Sequence, residues 1–269
     1  MYFRGNARAR DLLQVSAALR SDGSSRRPFV NRMLFGLVVT FFWATLTVAW
    51  FLYPNAAADV YDFLIVKMTA VWYRAVFERV EGGSRILDVG VGTGSALVRN
   101  KDLVQQKRLV IVGIDYEMRY IKKATEVVAA AGLSELVKLN CQSIYEPKLR
   151  QIFSGAAKFD CAYFSGSITL MPDPPAALKC AATMLVDGGL IYVTQTFQNQ
   201  PSPIAEKVKP LLRRFTSVDF GRVTYYKEVA DIAAKAGMQI LEDKPVPGSI
   251  DNANQTARLL VLKPYNKSQ

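Results

Sequence analysis

The sequence contains no histidine. This absence excludes Ser-His and Cys-His nucleophilic pairs, histidine-ligated zinc and histidine general bases, so most hydrolase mechanisms have no basis here. Cysteine is also scarce: Cys141, Cys161 and Cys180 are odd in number, widely spaced and set among apolar residues. That pattern argues against a disulfide framework and favours small buried side chains in a reducing compartment.

Acidic residues are too few to balance the basic ones. The 34 Lys and Arg residues oppose 23 Asp and Glu residues, which gives a formal net charge of +11. Seven of these basic residues are arginines within positions 1–32, where only Asp11 and Asp22 oppose them. Because the excess belongs partly to this tail and forms no single patch, we expect no nucleic-acid partner.

Residues 33–53 form the one long hydrophobic run, MLFGLVVTFFWATLTVAWFLY, without a charge. As a helix, this segment would extend about 31 Å, which matches the hydrocarbon core of a bilayer. Arg32 and Pro54 flank the run, and Trp50 and Tyr53 lie near one end. The pattern predicts a single-pass transmembrane helix, and the alternative is a buried core helix.

Residues 1–32 are rich in Arg and Ser and contain neither Lys nor Glu. The tail resembles a mitochondrial or plastid targeting peptide, with a short amphipathic helix through Ala7–Arg20. The alternative is a basic tail that orients the span by the positive-inside rule. We therefore expect an organellar membrane location, with the mitochondrial inner membrane favoured and the endoplasmic reticulum as the alternative. The topology of the large domain stays open.

Residues 59–269 carry the pattern of an α/β domain. Val60–Val80 has apolar residues at helical spacing, and short β-branched runs then alternate with Ala-rich segments. The predicted strands are RILDVG, LVIVGID, VKLNCQ, DCAYFS, GLIYVTQTF, MQILEDKPV and TARLLVLKP. The predicted helices between them are Ser95–Leu103, Met118–Ala131, a short one after Tyr145, Pro174–Leu185 and Tyr226–Ala236.

This alternation predicts a Rossmann-like, doubly wound sheet of seven strands, mostly parallel, with helices on both faces. No helix fits between the last two strands. They should therefore pair as an antiparallel hairpin at the edge of the sheet.

A glycine-rich turn follows the first strand, in Asp88-Val89-Gly90-Val91-Gly92-Thr93-Gly94-Ser95. Gly90, Gly92 and Gly94 would let a ligand approach the backbone at a helix start. The dinucleotide fingerprint is G-x-G-x-x-G, whereas here the third glycine comes one position early and Ser95 stands where that pattern needs glycine. The turn therefore favours a different nucleoside ligand.

A second motif ends the next strand, in Val112-Gly113-Ile114-Asp115-Tyr116. Asp115 comes 21 positions after Gly94. A carboxylate at the end of the second strand can accept both hydroxyls of a ribose. The alternative for Asp115 is an N-cap for the helix that begins near Met118.

Together, the two motifs resemble those of the class I S-adenosylmethionine-dependent methyltransferases. The resemblance implies that the glycine turn holds the methionyl part of S-adenosylmethionine. Asp88 would reach its amino group directly or through water, and Asp115 would bind its ribose with Tyr116 beside it. Such enzymes align an acceptor with a methyl group that is already activated, so no metal is required.

The family usually has an aspartate at the end of the third strand, close to the adenine. This chain has Asn140-Cys141-Gln142-Ser143 there, so the resemblance assigns that contact to Gln142 or Ser143. After the fourth strand, Ser165 would lie beneath the transferred methyl group. Tyr61, Tyr163 and Tyr225 are further pocket candidates, and we assign no catalytic residue.

The segment Phe164-Ser165-Gly166-Ser167 lacks the Asn/Asp-Pro-Pro-aromatic tetrapeptide of enzymes that methylate bases or glutamine amides. Met171-Pro172-Asp173-Pro174 and Leu185-Val186-Asp187-Gly188-Gly189 instead resemble the small-molecule branch, which includes ubiquinone/menaquinone C-methyltransferases and sterol or phospholipid methyltransferases. This implies a hydrophobic or membrane-associated acceptor: a quinol, a sterol or a lipid headgroup. Residues 198–226 would cover its pocket.

Two alternatives keep the fold but change the function. In one, the chain methylates a protein of the same membrane. In the other, it is a non-catalytic structural or assembly subunit of a membrane complex. The complete glycine triplet and Asp115 argue against the second alternative, because a purely structural sheet needs neither.

Overall fold

A computed structural model describes residues 56–155, 158–201 and 223–265. The predicted tail, the predicted transmembrane helix at 33–53 and most of the predicted cover at 198–226 lie outside these ranges. Within them, no helix combines the length and the apolarity that crossing a bilayer would need.

The described chain begins with one long helix and continues as alternating strands and helices. Helix α1 is Ala56–Phe77. The strands are β1 Arg85–Val89, β2 Val110–Asp115, β3 Val137–Cys141, β4 Phe159–Ser165, β5 Leu185–Gln198, β6 Met238–Pro245 and β7 Gln255–Pro264. The helices after α1 are α2 Ser95–Val98, α3 Lys101–Gln106, α4 Met118–Ala130, α5 Pro147–Ile152, α6 Pro174–Thr183 and α7 Tyr226–Lys235, with a 3-10 turn at Ile168–Leu170.

The seven strands form one sheet in the order β3-β2-β1-β4-β5-β7-β6. Strands β1 to β5 pair in parallel, and β7 runs antiparallel to both β5 and β6. The predicted mixed sheet with an antiparallel C-terminal pair is therefore confirmed. The strand order reverses between β1 and β4, and the carboxyl ends of parallel strands flank a crevice at such a point.

Apolar side chains cover both faces of the sheet. One core layer packs α5, α6 and α7 against the sheet, through residues such as Leu149, Leu178 and Val229. The opposite layer packs α1, α3 and α4, through residues such as Phe77 and Val104. This arrangement confirms the doubly wound architecture, because helices pack against both faces of the sheet.

The predicted helix at Ser95–Leu103 is divided into α2 and α3 at Asn100. The Asn100 side chain is buried and donates from Nδ2 to the backbone oxygen of Ala70 in α1, at 2.9 Å, and to that of Ala96, at 3.2 Å. Asn100 thus bonds to a neighbouring helix. The spacing of apolar residues in this segment does not predict such a tertiary contact.

Strand β5 also begins earlier than predicted. Phe159 of β4 pairs with Leu185, whereas Cys161 pairs with Leu190, so β5 contains an irregular segment before its regular part. Helix α6 accordingly ends at Thr183, short of the predicted Leu185. The predicted strand, GLIYVTQTF, begins only at Gly189.

Lys107 forms hydrogen bonds that hold the end of α1 beside α3. Its Nζ donates to the backbone oxygens of Phe77, Glu78 and Val80, at 2.9, 2.8 and 2.7 Å. The last carbonyls of a helix have no partner within the helix and attract positive charge. A half-buried ammonium therefore caps α1.

We expect Lys107→Met to lower the free energy of unfolding by about 1–3 kcal/mol, because three carbonyls lose a charged donor. Thermal or denaturant unfolding of the full-length chain measures this change. Lys101→Met is the matched control, since Lys101 is exposed in α3. Equal effects of the two substitutions would contradict the capping role.

Candidate ligand-binding site

A cavity of about 1240 Å³ opens at the carboxyl ends of the central strands. Its described walls come from α1, the loops after β1, β2, β3 and β4, the end of β5 and the β6–β7 loop. It therefore lies at the point where the strand order reverses, which is where ligands bind in open α/β sheets.

The loop after β1 is held against the end of β2. The amides of Gly90 and Val91 both donate to the backbone oxygen of Ile114, at 2.8 and 3.2 Å. Gly90 has a φ of +80°, and a Cβ at this position would lie 2.6 Å from the Cβ of Ser167. Gly92 has a φ of +57°, and a Cβ there would meet no atom within 4 Å. The loop thus leaves open space beside its backbone, where a ligand can approach.

Asp115 connects this loop to the next one. Its Oδ2 accepts from the amide of Gly92 at 3.1 Å, and its Oδ1 accepts from the amide of Glu117 at 2.9 Å. The side chain lines the cavity although the residue is only 8% exposed, and burial raises the pKa of its carboxyl. Each carboxylate oxygen can accept another hydrogen bond. The N-cap of α4 is Glu117, so Asp115 braces two loops and is not the helix cap.

Eight of the nine predicted ligand-binding residues line this one cavity. They are Gly90, Gly92, Gly94, Asp115, Tyr116, Gln142, Ser143 and Ser165. Tyr116 is 77% exposed at the rim. The amide of Gln142 donates to the backbone oxygen of Asp115 at 3.0 Å, which fixes the β3 loop beside the β2 loop.

Asp88, the ninth predicted residue, lies outside the cavity wall. It is fully buried, and its Oδ2 accepts a hydrogen bond from Tyr73 Oη at 2.7 Å. Its Oδ1 has no hydrogen-bond partner among the described residues. Burial raises the pKa of this carboxyl to about 7, against a lowering effect of the Tyr73 hydrogen bond. We expected the Asp88 carboxylate to contact the ligand. In the structure it instead accepts a hydrogen bond from Tyr73, and Tyr73 lines the cavity.

Two of the three other pocket candidates, Tyr163 and Tyr225, do not line the described wall. Tyr163 is buried in the core, with its hydroxyl 2.8 Å from Thr194 Oγ1. Tyr225 precedes α7 and does not line the cavity. The side chain of Tyr61 lies beyond the described part of α1.

Several wall residues were not predicted from the sequence. Trp72 and Tyr73 reach the cavity from α1, and Gln195 and Thr196 reach it from β5. One signal was present for the last two: β5 ends in Thr194-Gln195-Thr196-Phe197-Gln198, which is polar for a strand buried on both faces. For α1, the apolar spacing indicated only a packed helix.

Charge in the described wall is confined to one segment. Asp115, Glu117 and Arg119 are its charged residues, and all three belong to the end of β2 and the start of α4. Arg119 lies 3.7 Å from the Glu117 carboxylate. Among the described wall residues, the charged ones are therefore grouped at the β2 end of the cavity.

Comparisons with known proteins agree with this geometry. A family model described as a methyltransferase domain matches residues 67–242. A phosphatidylethanolamine N-methyltransferase from Cereibacter sphaeroides is 24% identical over 195 residues, which cover 71% of this chain and 89% of that relative.

Solved structures share the fold at low sequence identity. The [4+2]-cyclase SpnF superposes with a TM-score of 0.57 at 19% identity, over 73% of this chain and 81% of that one. An S-adenosylmethionine-dependent methyltransferase from Geobacter sulfurreducens, crystallised with S-adenosylhomocysteine, gives a TM-score of 0.50 at 15% identity, over 72% and 90% of the two chains. These similarities establish the fold. An argument about the reaction has to come from the residues that line the cavity.

We expect Gly90→Ala to destabilise the fold more than Gly83→Ala does. Both glycines have a φ near +80°, so both substitutions carry the same backbone strain, of about 1–2 kcal/mol. Only position 90 adds a clash with Ser167, since a Cβ at Gly83 meets no atom within 4 Å. Urea unfolding of the two variants measures the contribution of the clash. Equal decreases in the free energy of unfolding would show that Ser167 can move aside without an energetic penalty.

The buried Asp88 carboxyl should weaken the fold as the pH rises. The unfolded carboxyl has a pKa near 4 and the folded one near 7, so the native state binds the extra proton between these values. Stability then falls by at most about 1.4 kcal/mol per pH unit across this window. Asp88→Asn removes the titration. Its stability relative to the wild-type chain should improve from pH 4.5 to pH 7.5, and a constant difference would show that Asp88 keeps an ordinary pKa.

Proposed function

The chain belongs to the methyltransferase-domain family, and from that membership we propose that it transfers a methyl group from S-adenosylmethionine to a hydrophobic or membrane-associated small molecule. A phospholipid headgroup is the acceptor that we favour. Quinols and sterols belong to the same proposed class.

The observation that supports this proposal is that one cavity combines polar and charged wall residues at β2 with apolar side chains elsewhere in its described wall. At the β2 end, the open backbone of Gly92 and the Asp115 carboxylate form a cradle for a nucleoside. Away from that end, Trp72 and Ile250 contribute apolar surface to the described wall. One ligand with polar and ribose groups and another with an apolar body can thus occupy the same cavity.

The residues at the β2 end fit S-adenosylmethionine. Asp115 would hold its ribose hydroxyls, the Gly90–Gly94 loop its methionyl part, and Gln142 or Ser143 its adenine. When bound, S-adenosylmethionine supplies a methyl group that the sulfonium has already activated. The contribution of the chain is to orient the acceptor and to exclude water.

The acceptor class is supported by a relative and by the sequence. The Cereibacter sphaeroides relative is a phosphatidylethanolamine N-methyltransferase, although at 24% identity. The apolar run at 33–53 would keep the enzyme in the membrane that holds such a lipid. We propose an organellar membrane as its location, with the mitochondrial inner membrane favoured and the endoplasmic reticulum as the alternative.

Methyl transfer to lipids tests the proposal directly. The full-length chain is incubated with methyl-labelled S-adenosylmethionine and vesicles that contain phosphatidylethanolamine, a prenylated quinol or a sterol. We expect label in the lipid fraction, with phosphatidylethanolamine as the best acceptor. Label in co-purified membrane protein, and none in any lipid, would instead support a protein acceptor.

Asp115→Ala should raise the dissociation constant of S-adenosylhomocysteine about 10- to 100-fold, because a hydrogen bond to a charged group contributes about 1.5–3 kcal/mol. Calorimetric titration measures this change. Asp115→Asn keeps the side-chain shape and separates loss of charge from loss of loop bracing. Asp102→Asn is the remote acidic control, since Asp102 is exposed and pairs with Arg74. Unchanged affinity of Asp115→Ala for S-adenosylhomocysteine would show that the methyl donor does not bind beside Asp115 in this cavity.

A further inference from the structure

Tyr73 connects helix α1 to the end of β1. Its ring packs edge-on against the rings of Phe77 and Tyr163, with centroids 5.5 and 5.0 Å away. Its hydroxyl donates to Asp88 Oδ2 at 2.7 Å. The residue is only 3% exposed, and yet it lines the cavity. The ring is therefore held in place between the helix and the sheet, at the surface that a ligand meets.

The hydrogen bond to Asp88 determines what the Tyr73 hydroxyl can offer to a ligand. A phenol hydroxyl has one proton to donate, and its oxygen can also accept. Because that proton is directed at Asp88 Oδ2, only the lone pairs of Tyr73 Oη remain for another group. The hydroxyl therefore favours a ligand group that donates a hydrogen bond, and it disfavours an acceptor such as a carboxylate.

Asp88 places a carboxyl group directly behind this hydroxyl. The residue is fully buried, and its Oδ1 has no hydrogen-bond partner among the described residues. A charge in such a position is costly unless a positive group compensates for it. Burial accordingly raises the pKa of the carboxyl to about 7, so the chain without a ligand holds a proton there in mildly acidic solution. A cation bound at Tyr73 Oη would favour the ionised form.

The neighbouring loop indicates which cation this would be. Asp88 comes two positions before Gly90, and the proposed function assigns the Gly90–Gly94 loop to the methionyl part of S-adenosylmethionine. The α-ammonium of that part is a cation that donates hydrogen bonds, whereas its carboxylate can only accept them. The ammonium therefore matches both the lone pairs of Tyr73 and the charge of an ionised Asp88.

We propose that Tyr73, and not Asp88, contacts the α-ammonium of the methyl donor, and that Asp88 acts through Tyr73 as a positioning residue that releases its proton to solvent when the donor binds. This inference rests on the proposed function and deepens it. Helix α1 then forms part of the donor site, and the affinity for the donor depends on pH.

Two ligands that differ only in the amino group test the contact with Tyr73. S-adenosylhomocysteine carries this group, and 5′-deoxy-5′-(3-carboxypropylthio)adenosine is the same molecule without it. Both are titrated calorimetrically into the full-length chain. Tyr73→Phe should raise the dissociation constant of S-adenosylhomocysteine about tenfold, because it removes a hydrogen bond to a charged group, and that of the deaminated analogue by less than about twofold.

Tyr163→Phe is the matched control. It removes the hydroxyl of the aromatic ring that packs against Tyr73, and Tyr163 is buried without lining the cavity. Because its hydroxyl lies beside Thr194 Oγ1, at 2.8 Å, any general loosening of this layer would appear in the control. We expect the ratio of the two dissociation constants to stay at the wild-type value in Tyr163→Phe.

The pH dependence of binding tests the role of Asp88. Between pH 5.5 and pH 6.5, the ionised fraction of a carboxyl with a pKa of about 7 rises about eightfold, while the ligand ammonium stays protonated. The dissociation constant of S-adenosylhomocysteine should therefore fall about fivefold over this range, and that of the deaminated analogue should change by less than about twofold. Asp88→Asn has no proton to release and should abolish this difference between the ligands.

The deaminated analogue also accounts for the other groups that face Asp88. These are Tyr73 from α1, Tyr163 from the paired strand β4 and Asp115 from β2. Asp115 would bind the ribose, which both ligands carry, so its titration affects both alike. Burial raises the pKa of both tyrosines, which stay protonated in this range. The difference between the two ligands therefore reports the protonation of Asp88.

Three results overturn the inference: a Tyr73→Phe chain with the wild-type ratio of the two dissociation constants, equal pH dependence of the two ligands in the wild-type chain, or a pH dependence that persists in Asp88→Asn. The second result requires no variant, so it decides the matter even if a variant does not fold. A wild-type chain that does not bind S-adenosylhomocysteine contradicts the proposed function instead. The two failures are thus distinguished within one titration series.

Discussion

The Asp115 carboxylate is the interaction on which the geometry of the site depends. One oxygen holds the amide of Gly92 and the other holds the amide of Glu117, so a single side chain fixes the loops that follow β1 and β2. Because those loops contain the residues that would contact a nucleoside, their relative position decides whether a cradle exists. Burial makes each of these hydrogen bonds stronger than it would be in water.

The strand order then determines which other residues line the same cavity as the loops that Asp115 connects. Since β1 and β4 lie between β2 and β5, the charged segment at β2 is separated from the wall residues that β5 contributes. The fold alone does not choose a reaction: the [4+2]-cyclase SpnF and the Geobacter sulfurreducens methyltransferase share it with this chain. The described wall of this chain includes Gln195 Oε1 and Thr196 Oγ1, two buried oxygens without a hydrogen-bond partner among the described residues.

Helix α1 illustrates why a sequence pattern can reveal an element but not its role. Its apolar spacing predicted a helix before the first strand, and that helix is present. Its position comes from distant partners: Lys107 caps its end, Asn100 bonds to Ala70, and Trp72 bonds to Ser249. Each of these contacts joins residues about 30 or more positions apart, and periodicity reports only near neighbours.

By itself, the sequence determined the order and type of the main elements, the mixed seven-stranded sheet and eight residues of the cavity wall. The elements, the three glycines and Asp115 follow from short-range rules: apolar periodicity, glycine at a strand-to-helix turn, and an acidic residue at a strand end. The other four wall residues were predicted from the resemblance to class I methyltransferases. Only the tertiary structure decided that Asp88 is buried behind Tyr73 and that β5 and α1 contribute residues to the cavity wall. The reason is that burial and charge separation depend on which segments pack together in space, and a linear pattern does not specify that.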